Sequence, residues 1–191
     1  MNLPLDQRPV VVALAGPNGA GKTTFYHAHL QSTGLRLVNA DVLARELGAD
    51  AYAAMRIAGA LRQQLLQQRE SFVFETVFSD PAGEKVAFLH DAMKTGYNVI
   101  LCFIGISGPN TSGERVAMRV SQGGHDVPPE KLTERFPRTM ANLKAAIRVL
   151  PHIFIFDNEN IAKPYQKVAL FEQGKPVFLA EPPPAWLADI L

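Results

Sequence analysis

Residues 16–23 read GPNGAGKT; they follow the apolar run VVVALA at 10–15 and precede TFYHAHLQ at 24–31. The stretch satisfies G-x-x-x-x-G-K-[ST] between a strand pattern and a helix pattern, the setting in which that spacing has a physical meaning. Glycines there let successive backbone N–H groups curl around a phosphate chain, Lys22 reaches the terminal phosphates, and the Thr23 hydroxyl is placed to hold Mg²⁺. Gly16, Pro17, Asn18, Gly19, Ala20, Gly21, Lys22, Thr23 and Thr24 are therefore the candidate nucleotide-binding residues. The bland alternative, a glycine-rich turn that merely joins strand to helix, does not call for both flanks.

Working outward, apolar runs alternate with helical patterns, the rhythm of a parallel sheet wrapped by helices. The runs at 10–16, 35–40, 71–76, 98–106 and 152–157 read as five buried strands. Ile57, Leu61 and Leu65 recur every fourth residue and predict a helix packed on the sheet. Asp80 followed by Pro81 predicts a capped helix with Val86, Leu89 and Met93 facing inward and a stop at Gly96. KVALFE and KPVFLAE around Gln173 and Gly174 read as an edge hairpin, and EPPPAW leads into a short terminal helix.

A chain of 191 residues fits one domain, and 47% hydrophobic with 19% charged residues is an ordinary globular balance. The net charge of +1 lacks the basic footprint of a phosphate-backbone binder, which argues against long nucleic acids as partners. The lone cysteine, Cys102, lies within an apolar run and reads as a core thiol. With no apolar run of membrane-spanning length and no signal core, the expectation is a cytoplasmic protein without membrane contact.

The second strand ends in VNAD, leaving Asp41 at the carboxyl edge of the sheet, where open α/β sheets bind ligands. There it is a candidate base for a hydroxyl attacking a γ-phosphate, or equally the cap of a helix begun by VLARELG. Glu75 ends the third strand at a similar place and calls for a partner such as a metal-bound water or a substrate hydroxyl. A guanine-selective GTPase would usually carry N-K-x-D after a later strand; the chain has DNEN at 157–160.

Thr111 and Glu114 fit a T-x-x-E capping box, predicting a helix from about 112. Val116 and Val120 share one stripe of it, and Arg115 and Arg119 the next. After Gly123, Gly124 and His125, Leu132, Phe136, Leu143 and Ile147 form the buried face of a second helix and Arg135, Arg138 and Asn142 its polar face, with Pro137 marking a kink or junction. Two such helices hinged on the glycines read as a lid that brings arginine charge over a triphosphate; the plain alternative is a solvated arginine face. His125 is as well explained by capping or packing as by substrate contact.

Taken together, GPNGAGKTTF, NAD with Asp41, FVFETVFS with Glu75, ERVAMRVSQGGHDVP and ERFPRTMANL resemble the zeta toxin superfamily of P-loop kinases, in particular its compact bacterial branch. The resemblance runs in order from about residue 10 to 158. It implies a nucleoside-monophosphate-kinase-like fold and ATP with Mg²⁺. It also implies transfer to a hydroxyl of UDP-N-acetylglucosamine or a related sugar nucleotide. By motif, Lys22 and Thr23 serve the nucleotide and metal, Asp41 is the base, Glu75 and Thr76 contact substrate, and Arg119 with Arg135 or Arg138 supplies lid charge. Where relatives often read ETTLS, the chain has Val77 and Phe78 after Thr76, and neither replaces the lost hydroxyl; this bears on acceptor identity. An antitoxin partner is left open.

The expectation is thus one α/β P-loop kinase domain over 1–191. It has a five-stranded parallel sheet ordered 2-3-1-4-5, a helical lid at about 110–142 and a C-terminal hairpin. The alternatives are a kinase for a nucleoside, antibiotic or other metabolite, and an ATP-binding switch that transfers nothing.

Overall fold

A β-branched apolar run can lie flat only where both faces are covered, and Val10–Ala15 (β1) is fully buried along its whole length. It is the middle one of the five parallel strands. The computed structural model describes residues 3–123 and 126–191; Gly124, one of the two expected hinge glycines, and His125 lie outside them. The remaining elements, in chain order, are α1 (Lys22–Phe25, continued by a wider turn at Tyr26–Leu30), β2 (Arg36–Val38), α2 (Ala40–Leu47), α3 (Ala51–Gln67), β3 (Phe72–Thr76) and α4 (Glu84–Lys94). There follow β4 (Asn98–Gly105), α5 (Pro109–Ser121), α6 (Pro129–Val149), β5 (His152–Asp157), β6 (Gln166–Glu172), β7 (Lys175–Leu179) and α7 (Ala185–Ala188).

The parallel core has the expected order β2-β3-β1-β4-β5. The hairpin β6–β7 joins the same sheet, antiparallel to β5, so the sheet is mixed and seven-stranded rather than five-stranded. Register places Ala15 beside Thr76 on one side and Phe103 on the other, so β1 and β3 end level, β4 runs two residues further to Gly105, and their following loops share one rim.

Two apolar layers sandwich the sheet. On one face Val11, Ala13, Phe74, Leu101 and Ile155 meet Ala58 and Leu65 of α3, Leu89 of α4 and Leu143 and Ala146 of α6. On the other, Val12, Leu14, Ile100 and Phe156 meet Phe25 and Leu30 of α1. Truncating a fully buried side chain such as Phe103 to alanine would cost about 3–5 kcal/mol. Cys102 is a core thiol as expected, and burial holds it protonated. Among the described residues, no helix is long and apolar enough to cross a membrane.

Several local expectations are corrected. Ile57 is exposed; the inward stripe of α3 is Ala54, Ala58 and Leu65, because the helix is rotated about its axis from the phase that the larger side chains suggest. The α4 helix starts at Glu84 after Gly83 in a left-handed conformation, and Asp80 reaches across the intervening turn to accept from the Lys85 N–H. No capping box opens α5: its first residue is Pro109, and Thr111 lies inside its first turn. Val120 is exposed while Val116 is buried. Pro137 marks no junction, since α6 continues through it to Val149.

Candidate active site

The phosphate loop closes over the end of β1, and its three motif glycines are demanded by close approach as well as by dihedral angle. Gly16 (φ +144°) leaves no room for a Cβ, which would lie 2.2 Å from the Ile104 carbonyl oxygen of β4. A Cβ at Gly19 (φ +74°) would press on Ser112 and Arg115 of α5, and one at Gly21 (φ +90°) on Asn158 and Tyr165. Positive φ is tolerated cheaply by glycine alone. Lys22 is 6% exposed and folds back across the loop, its Nζ donating to the carbonyls of Gly16 and Pro17, each at 2.9 Å. Burial pushes its pKa below the ordinary 10.5; the charges of Glu75 and Asp41 oppose that shift and Arg119 adds to it. Residues from β3, α2 and α5 therefore act electrostatically on one ammonium.

Glu75 is half-buried at the end of β3, and its Oε2 accepts from Thr23 Oγ1 at 2.9 Å and from Asn39 Nδ2 at 2.8 Å. The carboxylate thus has two neutral protein donors where the sequence suggested metal-bound water or substrate. Asn39 is also the cap of α2, its Oδ1 accepting from the N–H groups of Asp41 and Val42. Asp41 is consequently not the cap: it stands exposed in the first helical turn, with its carboxylate uncommitted to the helix end. Thr76 accepts from the Phe78 N–H, a local turn contact that holds Phe78 at φ +63°. The Phe78 side chain, at the leucine position of ETTLS, is fully buried in the core, and the lost hydroxyl falls at Val77.

The arginines divide. Arg119, half-buried on α5, is the one whose charge registers at Lys22. Arg115 donates to the Glu159 carbonyl at 2.9 Å, and Arg138 pairs with Glu134 at 2.8 Å on its own helix. Asn142 does not belong to a polar face with them: it is buried and donates to the carbonyls of Phe78 and Asp80, while Thr139 donates to that of Val77. The α6 helix thereby grips the turn that follows Glu75.

Sequence reasoning missed the side chains that reach the loop from outside it. Ser112 donates to the Asn18 carbonyl (2.6 Å), Asn158 to that of Ala20 (2.8 Å) and Tyr165 to that of Gly21 (3.0 Å). Glu159 accepts from the N–H and hydroxyl of Ser107 and from Thr111. Although partial burial works the other way, those bonds and the Arg115 charge hold its carboxyl below the usual 4.5. The DNEN stretch was legible only as the absence of a guanine motif, and Tyr165 as a lone loop aromatic carried no signal. Asn39 carried one: asparagine two residues before an acidic residue at a strand-to-helix turn is a cap pattern.

Mg²⁺ prefers a few hard oxygen ligands and keeps several waters. The adjoining Thr23 hydroxyl and Glu75 carboxylate at the mouth of the loop fit that preference. Among the described residues, no group of three or more His, Cys, Asp or Glu side chains is gathered as a metal cage.

The family model for zeta toxin matches residues 50–169, more than half of the chain. That span takes in Glu75, α5 and α6 but not the phosphate loop or Asp41. No curated protein matches the sequence. Among solved structures, the AvrRxo1-ORF1:-ORF2 structure with ATP is similar at TM-score 0.60 and 19% identity, covering 91% of this chain and 61% of that one. A Chloroflexus aurantiacus protein assigned as a kinase gives 0.58 at 20% identity, covering 83% and 90%. A structure from the PezAT chromosomal toxin-antitoxin system of Streptococcus pneumoniae gives 0.53 at 17%, covering 99% and 80%. At these identities the structures share the fold. The chain spans about three fifths of the length of the first of them.

Proposed function

The chain belongs to the zeta toxin family, and on that premise we propose that it is an ATP-dependent kinase that phosphorylates a hydroxyl of a small acceptor, a sugar nucleotide such as UDP-N-acetylglucosamine. The observation that carries the reading is the convergence at one rim: the Thr23–Glu75 hydrogen bond at the mouth of the phosphate loop, with Asp41 and Arg119 within electrostatic reach of Lys22. A loop that only bound nucleotide would need no exposed carboxylate beside it.

In this reading the loop N–H groups and Lys22 hold the phosphates of ATP, with Lys22 leaving the Gly16 and Pro17 carbonyls for the nucleotide. Asp41 accepts the proton of the acceptor hydroxyl as its oxygen attacks the γ-phosphorus. The bond from that phosphorus to the β-bridging oxygen breaks, leaving ADP and a phosphomonoester. Arg119 faces the charge spread over the transferring group, and Thr76 and Glu75 orient the acceptor. Mg²⁺, held by Thr23 with Glu75 beside it, would neutralise the polyphosphate. A similar structure was solved with ATP, which supports that nucleotide. The whole chain acts as one kinase domain, with the segment at about 110–142 as its lid. A protein inhibitor is a further proposed partner, supported by the toxin-antitoxin origin of another similar structure.

The test is to incubate the chain with ATP and Mg²⁺ against sugar nucleotides, nucleosides and aminoglycosides, and to read products by mass. The expected result is one phosphoryl group on a sugar nucleotide per ADP formed. ATP hydrolysis with every acceptor unmodified would reject the kinase reading in favour of a switch; phosphorylation confined to another class would replace the acceptor.

A further inference from the structure

We infer that Asn158, Ser112 and Tyr165 are positioning residues of the phosphate loop, which hold its carbonyl groups outward so that its N–H groups face the nucleotide. The inference rests on the kinase reading for the identity of the ligand. Its basis is peptide planarity: fixing the direction of one carbonyl fixes the N–H of the next residue opposite to it. Ser112 Oγ on Asn18 O (2.6 Å) therefore orients the Gly19 N–H, and Asn158 Nδ2 on Ala20 O (2.8 Å) orients the Gly21 N–H. Gly21 O takes the helical N–H of Phe25 at 2.9 Å and the Tyr165 hydroxyl at 3.0 Å, so both its lone pairs are occupied and the Lys22 N–H is set.

A peptide in a glycine-rich loop has little of its own to stop it from flipping, and a flipped peptide would aim a carbonyl dipole at phosphate. The three tethers oppose that flip from two places in the chain, α5 and the loop after β5. They are built rather than incidental. Ser112 and Asn158 are both buried, and the Asn158 amide is itself oriented by the Tyr165 N–H donating to its Oδ1 at 3.3 Å. The Tyr165 ring is seated edge-on against Phe25 and His29. The loop after β5 also clamps the start of α5, through the Glu159 carboxylate on Ser107 and Thr111 and the Glu159 carbonyl under Arg115. Cradle and arginine-bearing helix are thus referenced to one brace.

The experiment measures ATP–Mg²⁺ affinity by titration calorimetry, melting temperature, and separate KM values for ATP and acceptor. Asn158→Ala should weaken ATP about tenfold, and Ser112→Ala and Tyr165→Phe each about threefold, the scale of single hydrogen bonds. Acceptor KM should not move. The control is Tyr97→Phe, which removes a hydroxyl bonded to the carbonyls of Leu65, Leu66 and Glu70 away from the site; it should lower the melting temperature and leave ATP affinity unchanged. Parent-like ATP affinity in all three variants, or losses that match the unfolded fraction, overturn the inference while the kinase reading stands. A parent chain that does not bind ATP overturns both.

Discussion

The phosphate loop and the arginine-bearing helices α5 and α6 were both legible as motifs, yet they fared differently once folded. The three motif glycines of the loop hold positive φ angles and are pressed against β4, α5 and the loop after β5. Of the arginines, Arg119 is the one whose charge registers at Lys22; Arg115 serves Glu159 and Arg138 serves Glu134. The difference is one of materials. A cradle of backbone N–H groups is specified by which residues tolerate positive φ, a local property. A guanidinium at the end of a long flexible side chain is specified by whichever partner the fold brings within reach.

The sharpest way to break this comparison is to remove the arginines one at a time. Arg119→Ala should lower turnover by about 10³ while ground-state ATP affinity changes little, the low end of what a phosphate-facing arginine contributes. Arg138→Ala, which breaks an exposed pair on its own helix, should leave turnover within about threefold. The reverse order in steady-state kinetics would return the site to the α6 face. On the cradle side, Lys22→Ala should cost about 10²–10³ in phosphoryl transfer and weaken ATP as well, because it removes both a charge and two bonds across the loop. Normal transfer would reduce the cradle to a turn.

Asp41→Asn sharpens the acceptor side. Because Asn39 caps α2, the substitution should not move the melting temperature, whereas turnover should fall about 10²-fold for want of a proton acceptor. Asn39→Ala should do the opposite first: a loss of about 1 kcal/mol in stability on chemical denaturation, through the cap. An Asp41→Asn variant with parental turnover would take Asp41 out of the mechanism. The smallest expected effect concerns Glu159. Its carboxyl pKa is lower in the folded chain than the ordinary 4.5, so its stabilising contribution is complete above about pH 4.5 and is lost as pH falls through the lower folded value. Glu159→Gln should therefore flatten the acid side of the melting-temperature profile by a few degrees. An unchanged profile would mean that the hydrogen bonds of Ser107 and Thr111 do not depend on that charge.

Residue types and spacing by themselves determined the alternation of strands and helices, the hairpin turn at Gln173 and Gly174, and the phosphate loop, while the order of the parallel core followed from the fold class that this rhythm and the family resemblance imply. Each of the first three is written in the residue types of a short stretch: an apolar run, glycine at positive φ, a lysine directly after the last glycine of the loop. Tertiary structure alone decided the rest. That the Asn39 cap of α2 also donates to Glu75 on β3, 36 residues away, is one such contact. Asn142, grouped with the arginines by helical spacing, is drawn inward because the turn after β3 leaves the carbonyls of Phe78 and Asp80 without other partners in the strand ladder. Asn158 and Tyr165 reach a loop 138 and 144 residues earlier in the chain. A side-chain hydrogen bond depends on the last ångström of approach between elements, and no periodicity in one element records where another will stop.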